Sequence, residues 1–264
     1  MISRDEIVKQ LSAYYRENGI AVLEEGVSAT SFACKHFGEC RAAQGCELWN
    51  GSEAHVGLSY GDPFGIVVVS LDRGERSEDI TARSRSIESL GDQLNPHMRG
   101  TKKFLQALLD DTQNPPWARF AMLNSAKCAA KDGSMDSVAE TLYNNCAEFT
   151  VAEIEILQPR LILTQGKCAQ ISIRRGAKSA ELTETEFRPL LESHADNASP
   201  VVLELLVSLM KKYLCVVSFQ YGQAVWIRDV PHPSDRFGKW KFFKDYHLRI
   251  IALFARELAM KLQG

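Results

Sequence analysis

The chain has 264 residues, 45% of them hydrophobic and 24% charged, with a formal net charge of −2. These values predict a globular protein with a large core, built as one domain or as one domain with an appendage. They exclude a polycation that binds nucleic acid over its whole surface but leave open a local basic patch. No apolar run reaches membrane-spanning length and the first residues lack the apolar segment of a signal peptide, so we expect a cytoplasmic protein.

The first predicted elements are an amphipathic helix and a cysteine-rich loop. The helix lies within an N-terminal extension of residues 1–30. Its apolar residues at helical spacing are Ile7, Leu11 and Tyr14. Residues 31–50 then form a loop that Gly38 and Gly45 interrupt, and its evenly spaced cysteines are Cys34, Cys40 and Cys46. This spacing predicts a metal or iron–sulfur site, the alternative being small buried side chains; a disulfide framework is not expected in a reducing compartment.

The clearest predicted strand spans residues 65–71, because an unbroken β-branched run is typical of a strand covered on both faces. It delivers Asp72 to the carboxyl edge of the sheet, where a carboxylate can orient or activate a water. The alternative is a helix N-cap or a turn carboxylate. The polar residues 75–100 predict a long loop over that edge with His97 near its end, and a helix over residues 102–110 follows.

A strand–loop–helix–strand unit spans residues 119–166, which is the pattern of a parallel sheet. Its first strand ends in an Asn-x-x-Lys-Cys motif, and its helix carries Cys146. Ligands of open parallel sheets bind beyond the carboxyl ends of the strands. We therefore expect the motif residues Asn124, Lys127 and Cys128 to lie where chemistry is done.

The last third of the chain supplies further helices and strands. Residues 174–198 are polar and predict a surface insertion. A helix over 201–212 precedes two strands over 214–219 and 224–227. A closing helix over 240–262 has an apolar face.

His232 follows the last predicted strand between two prolines, whose rings fix the backbone on both sides. An imidazole on a stiff turn can stabilise developing negative charge; the alternative is a loop histidine with a local hydrogen bond. A basic run with interleaved aromatic residues comes next: Arg236, Lys239, Trp240, Lys241 and Lys244. That mixture is typical of a surface that binds a phosphate backbone and stacks or wedges a base, and the alternative is a solvated helix start.

Taken in order, these motifs resemble the uracil-DNA glycosylase superfamily, especially its iron–sulfur-containing members. The resemblance covers roughly residues 30 to 260. Its parts are residues 70–74, the motif of Asn124, Lys127 and Cys128, then Cys146 with Glu153 and Ile154, the strand over 161–163, and His232-Pro233-Ser234.

The resemblance implies a fold and a function. The fold is one domain over residues 1–264 with three α/β/α layers and a central, mostly parallel sheet of four or five strands. The function is that of a DNA glycosylase, which flips uracil or another modified pyrimidine out of single- or double-stranded DNA and hydrolyses its N-glycosidic bond. Such an enzyme serves DNA repair or phage defence.

The resemblance also assigns catalytic roles. Asn124 reads the base edge through its amide, His232 stabilises negative charge on the pyrimidine O2, and Asp72 positions the attacking water. The other expected DNA contacts are His97, Ser234, Arg236 and Lys239. His97 stands near the position of a phenylalanine that stacks on the base in the family, and residues 70–74 replace the family's Gly-Glu-Ala-Pro-Gly, so the excised base is left open.

Two ligands of a structural [4Fe-4S] cluster match Cys128 and Cys146. Cys46 is the best match for a third ligand and Cys40 for the fourth, with Cys34 as a close rival. An alternative function is a catalytically silent iron–sulfur DNA-binding protein of the same fold. A zinc-dependent α/β hydrolase is disfavoured because the chain has no Gly-x-Ser-x-Gly motif.

Overall fold

The computed structural model describes residues 2–20, 33–51, 53–71, 87, 94–130, 139–182, 184–194, 199–235 and 237–262. The α-helices in these ranges are α1 Arg4–Asn18, α2 Phe37–Gln44, α3 Pro96–Leu109, α4 Glu140–Leu157, α5 Ile171–Gly176, α6 Glu184–His194, α7 Pro200–Tyr213, α8 Lys239–Tyr246 and α9 Leu248–Lys261. The strands are β1 Leu48–Asn50, β2 His55–Val56, β3 Ile66–Ser70, β4 Phe120–Asn124, β5 Cys128–Ala130, β6 Leu161–Gln165, β7 Lys178–Glu181, β8 Leu214–Phe219 and β9 Gly222–Val230.

Seven of these strands form one sheet in the order β2-β4-β3-β6-β9-β8-β7. The four central strands, β4, β3, β6 and β9, are parallel, whereas the flanking strands are antiparallel to their neighbours. The predicted α/β class with a mostly parallel sheet is confirmed. The predicted width of four or five strands is wrong, because antiparallel edge strands widen the parallel centre. Strands β1 and β5 form a separate two-stranded ribbon.

Helices cover both faces of the sheet, and the alternation of β3 explains why. Ile66 and Val68 belong to one apolar cluster, which α3, α7, α8 and α9 complete. Val67 and Val69 belong to the other, which α1, α4 and α5 complete. All five residues of β3 are buried, as the sequence predicted. No helix in the described ranges is both long enough and apolar enough to cross a membrane.

Three predictions for the first half of the chain are corrected. The cysteine-rich segment is not an irregular loop: it contains α2, which ends at Gly45 in the left-handed conformation (φ 70°). His97 lies in a helix and not in a loop, because Asn95 caps α3 and Pro96 occupies its first turn. In α1, Tyr15 is buried where Tyr14 was expected to face the core. Most of the predicted loop over residues 75–100 lies outside the described residues.

Two predictions for the second half change as well. The polar insertion over residues 174–198 contributes strand β7, which pairs with β8. The closing helix is interrupted at His247, where α8 ends and α9 begins. Tyr246 consequently points away from the core and is 66% exposed.

Candidate active site

The carboxyl ends of the four parallel strands lie along one edge of the sheet. At this edge the order in which the chain adds strands reverses, which makes a topological switch point. From β3 the chain passes to β4 on one side, and from β4 it crosses back to β6 on the other side of β3. Open α/β sheets bind ligands at such a switch point. Strand register places Ser70 beside Asn124 and Gln165 beside Val230 at this edge.

Two histidines from distant parts of the chain stack at this edge. The rings of His97 and His232 are 4.8 Å apart between centroids, with an angle of 23° between their planes. Two glycines allow the approach. A Cβ on Gly166, which has φ 90°, would lie 3.4 Å from the Cβ of His232. A Cβ on Gly100 of α3 would lie 2.4 Å from the Cβ of Pro233, so α3 and the histidine turn pack with no space for a larger side chain.

Buried polar side chains hold His97. Its Nε2 lies 2.8 Å from Oε1 of Gln165 and 3.0 Å from Oγ of Ser70. The amide nitrogen of Gln165 donates to Thr101 Oγ1 (3.1 Å), and this hydroxyl also lies 3.0 Å from the carbonyl of His97. Since Oε1 can only accept, Nε2 of His97 carries a proton. His97 was predicted to contact DNA near the family's base-stacking position; its ring stacks on His232, and the DNA contact stays a prediction.

His232 is held as a neutral imidazole that can donate from Nε2. The backbone N–H of Ser234 donates to His232 Nδ1 at 3.2 Å, so Nδ1 acts as an acceptor and the proton lies on Nε2. Burial lowers the pKa of His232 below its usual value, and the carboxylate of Asp235 opposes this shift. A neutral N–H donor of this kind stabilises an oxyanion without requiring prior protonation.

We expect the His232 imidazole to titrate below about 6.5, the ordinary histidine value. Between the two pKa values the folded protein binds fewer protons than the unfolded chain, so the free energy of unfolding decreases as the pH falls below about 6.5 and is undiminished above it. An NMR titration of the ring measures this pKa, and the urea-unfolded chain is the control. A folded-state pKa equal to the unfolded value would contradict the assignment.

Asn124 presents its side chain at the end of β4. Its amide has no hydrogen-bond partner among the described residues, which leaves one donor group and one acceptor group for a ligand. The following loop is tied to β3, because Ser125 Oγ donates to the carbonyls of Ser70 and Leu71 at 2.7 and 2.8 Å. The backbone that carries this amide is therefore fixed.

Lys127 is buried and has a structural role, whereas a reactive lysine would be exposed to its substrate. Its ammonium group donates to the backbone carbonyl of Asn124 and pairs with Glu153, and the two charged side chains are only 3% and 2% exposed. Tyr15 donates to the other oxygen of Glu153 at 2.7 Å, and burial keeps the pKa of this phenol well above its usual range. These contacts fix the backbone of the loop that follows Asn124.

Four thiols lie near these contacts and influence one another electrostatically: Cys34, Cys40, Cys128 and Cys146. The Cys128 thiol donates to Cys146, which lowers the pKa of Cys146 and raises that of Cys128. Burial is the main cause of the raised pKa of the other two thiols. Cys46 does not belong to this group: it follows α2, and its thiol donates to the Glu47 carbonyl at 3.4 Å. The predicted ligand role of Cys46 stays a prediction, and Cys34, the rival of Cys40 in the sequence, lies among the four interacting thiols.

The resemblance noted above implies an iron–sulfur cluster at cysteine thiols of this region. Iron–sulfur clusters are held by cysteine thiolates spaced around the cluster. Here the four thiols come from the segment before α2, from α2, from β5 and from α4. The N–H of Lys127 donates to Cys146 Sγ at 3.3 Å, a contact that favours the thiolate. Among the described residues, no three His, Cys, Asp or Glu side chains are grouped so that they could hold a metal ion.

The remaining predicted site residues are placed only in part. Ser234 and Lys239 are exposed beside His232, in keeping with contacts to a ligand. Asp235 accepts from the N–H groups of Lys239 (2.8 Å) and Trp240 (3.4 Å), so it caps α8 and fixes the basic segment. Asp72 and Arg236 lie outside the described residues.

A scan of protein-family models finds no match to this chain, and a search of curated proteins finds no significant relative.

Proposed function

We propose that this protein is a DNA glycosylase that flips a modified pyrimidine, uracil among the candidates, into the switch-point edge and hydrolyses its N-glycosidic bond. The observation that carries the proposal is that a neutral, Nε2-protonated His232 and the Asn124 side chain both lie at the carboxyl ends of parallel strands of one sheet. The motif order that resembles the iron–sulfur branch of the uracil-DNA glycosylase superfamily supports the same function, and we propose that superfamily's three-layer fold for this chain.

The spacing of these two groups suits one base. Asn124 ends β4 and His232 follows β9, so their backbones are three strand spacings apart, roughly 14 Å at about 4.8 Å per spacing. We propose that a flipped pyrimidine lies between their side chains. The Asn124 amide then pairs with O4 and N3 of the base, because it offers one donor and one acceptor group.

The chemical step needs stabilisation of the leaving base. As the glycosidic bond breaks, negative charge develops on O2 of the pyrimidine, and the Nε2–H of His232 donates to that oxygen. His97 covers one face of the His232 ring and holds it against rotation. We assign to Asp72, as the resemblance implies, the positioning of the water that attacks the sugar.

We propose further that Cys34, Cys40, Cys128 and Cys146 hold a [4Fe-4S] cluster. When bound, such a cluster supplies a rigid link between the segments that carry its four ligands. The cluster would connect the start of α2 to the Asn-x-x-Lys-Cys loop and to α4. It would thereby fix the loop that carries the base-reading amide. All seven cysteines are free thiols.

Exchange of Cys34 for serine is expected to abolish or strongly reduce bound iron and the visible absorbance of the purified protein. The matched control is Cys46→Ser, which we expect to keep both, because Cys46 lies outside the group of four. Iron and sulfide analysis of the two anaerobically purified variants gives the measurement. Loss of iron from Cys46→Ser with retention in Cys34→Ser would reverse the ligand assignment.

A base-release assay across a panel of single- and double-stranded oligonucleotides tests the function. We expect an abasic site, detected by alkaline cleavage, on at least one substrate with a modified pyrimidine. If the protein binds these oligonucleotides but releases no base from any of them, it is the catalytically silent DNA-binding protein named above as the alternative.

A further inference from the structure

Positive charge is concentrated on three neighbouring helices. The helices α3, α8 and α9 carry three Lys or Arg residues each, against no acidic residue in α3 and one in each of the other two. The whole chain has a net charge of −2, so this face is strongly positive while the remainder is negative. Such asymmetry marks a surface for a polyanion.

Aromatic rings are exposed on the same face. Phe242 and Tyr246, one turn apart on α8, are 57% and 66% exposed, and their ring centroids are 5.0 Å apart. Phe237, just before α8, is 87% exposed. Folded proteins rarely leave three neighbouring aromatic residues in water, and exposed rings beside cations are the platform on which unpaired bases stack.

A groove continues from these rings. It has a volume of about 840 Å³ and lies between α3 and the α8–α9 corner, with Tyr246, Lys103 and Arg249 among its lining residues. Lys103 lies six residues beyond His97 on α3, which is roughly 9 Å along the helix axis. The groove therefore shares helix α3 with the candidate active site.

Some of the cations on this face form salt bridges, whereas others have no carboxylate partner in the described part of the chain and can bind a ligand. Asp245 pairs with Lys241 and Lys244 at 3.0 and 3.1 Å, and Asp110 pairs with Arg256 at 3.0 Å. Lys103, Lys239 and Arg249 have no carboxylate partner among the described residues. These three cations flank the exposed rings and are positioned for phosphates.

We propose that the face of α8 and the adjoining groove bind the single-stranded flank of a nucleic acid, with unpaired bases stacked on Phe242 and Tyr246 and phosphates held by Lys103, Lys239 and Arg249. This inference deepens the proposed function, on which it rests for the identity of the strand as DNA. Duplex DNA hides the faces of its bases, so stacking on these rings selects unpaired strands.

Fluorescence anisotropy with a labelled oligo-dT of about 20 nucleotides, which contains no modified base, tests the proposal. We expect wild-type protein to bind it more tightly than a duplex of equal length. The double variant Phe242→Ala/Tyr246→Ala should bind the single strand at least tenfold more weakly, since each stacked ring contributes about that factor. Phe242→Tyr/Tyr246→Phe should restore binding, and Leu58→Ala, which removes an exposed apolar side chain elsewhere, should leave it unchanged.

Equal binding of single strand by wild type and by the double alanine variant would overturn the proposal. So would displacement of the strand by polyglutamate to the same extent in both proteins, because the face would then recognise charge alone. Base release is measured separately. Absence of base release with ring-dependent binding intact overturns only the glycosylase proposal, whereas base release without ring-dependent binding overturns only this inference.

Discussion

Replacement of His232 by alanine is expected to lower the rate of base release by about 100- to 1,000-fold, which is the usual effect of removing one oxyanion donor. The loss should fall on kcat, because the hydrogen bond to O2 strengthens only as the glycosidic bond breaks. Single-turnover kinetics on the best substrate of the panel measures this change. His232→Gln, which keeps an N–H donor, should recover part of the rate.

The control for this experiment is Gln10→Ala. Gln10 is exposed on α1, where its amide nitrogen donates to Glu6 at 3.0 Å, and it belongs to neither the switch-point edge nor the group of thiols. This variant should keep the wild-type rate. A His232→Ala protein that is folded and retains wild-type kcat would remove the imidazole from the mechanism.

Breaking the buried ion pair between Lys127 and Glu153 is expected to lower the stability of the protein strongly. Lys127→Met leaves the carboxylate of Glu153 buried without its cation, and we expect a loss of about 3–5 kcal/mol in the free energy of unfolding. For a chain of this size that corresponds to a decrease in Tm of roughly 6–20 °C. Thermal and urea unfolding followed by circular dichroism give the values.

The double variant Lys127→Met/Glu153→Leu separates pairing from burial. Removal of both charges leaves no uncompensated ion, so this protein should be more stable than Lys127→Met alone. Lys241→Ala, which breaks an exposed pair, should leave Tm unchanged within error. If the single and double variants lose equal stability, the charge of Glu153 is not what the lysine compensates.

The sequence predicts those parts of the fold that depend on local pattern. The β-branched run of β3 and the helical spacing in α1 specify their elements, because each pattern must match the face it buries. The edge strands are harder to predict. Strand β7 has four exposed residues, so its pairing with β8 leaves no apolar signature in the sequence.

The candidate site could be predicted only where the residue type itself signals chemistry. Asn124 and His232 fall into that class. The supports of His97 do not, because Gln165 and Thr101 look like ordinary polar residues until the fold buries both of them completely. Our proposal of Cys34 instead of Cys46 likewise required the fold, since the even spacing of the three cysteines does not reveal that only Cys40 lies within α2.

Lys127 has a double attachment whose consequence reaches beyond stability. Its ammonium group donates to the backbone carbonyl of Asn124, and its own backbone N–H donates to the Cys146 sulfur. Oxidation of that sulfur would therefore disturb the backbone that carries Asn124, three residues away. Under the proposed function, recognition of the base would then depend on the redox state of its surroundings.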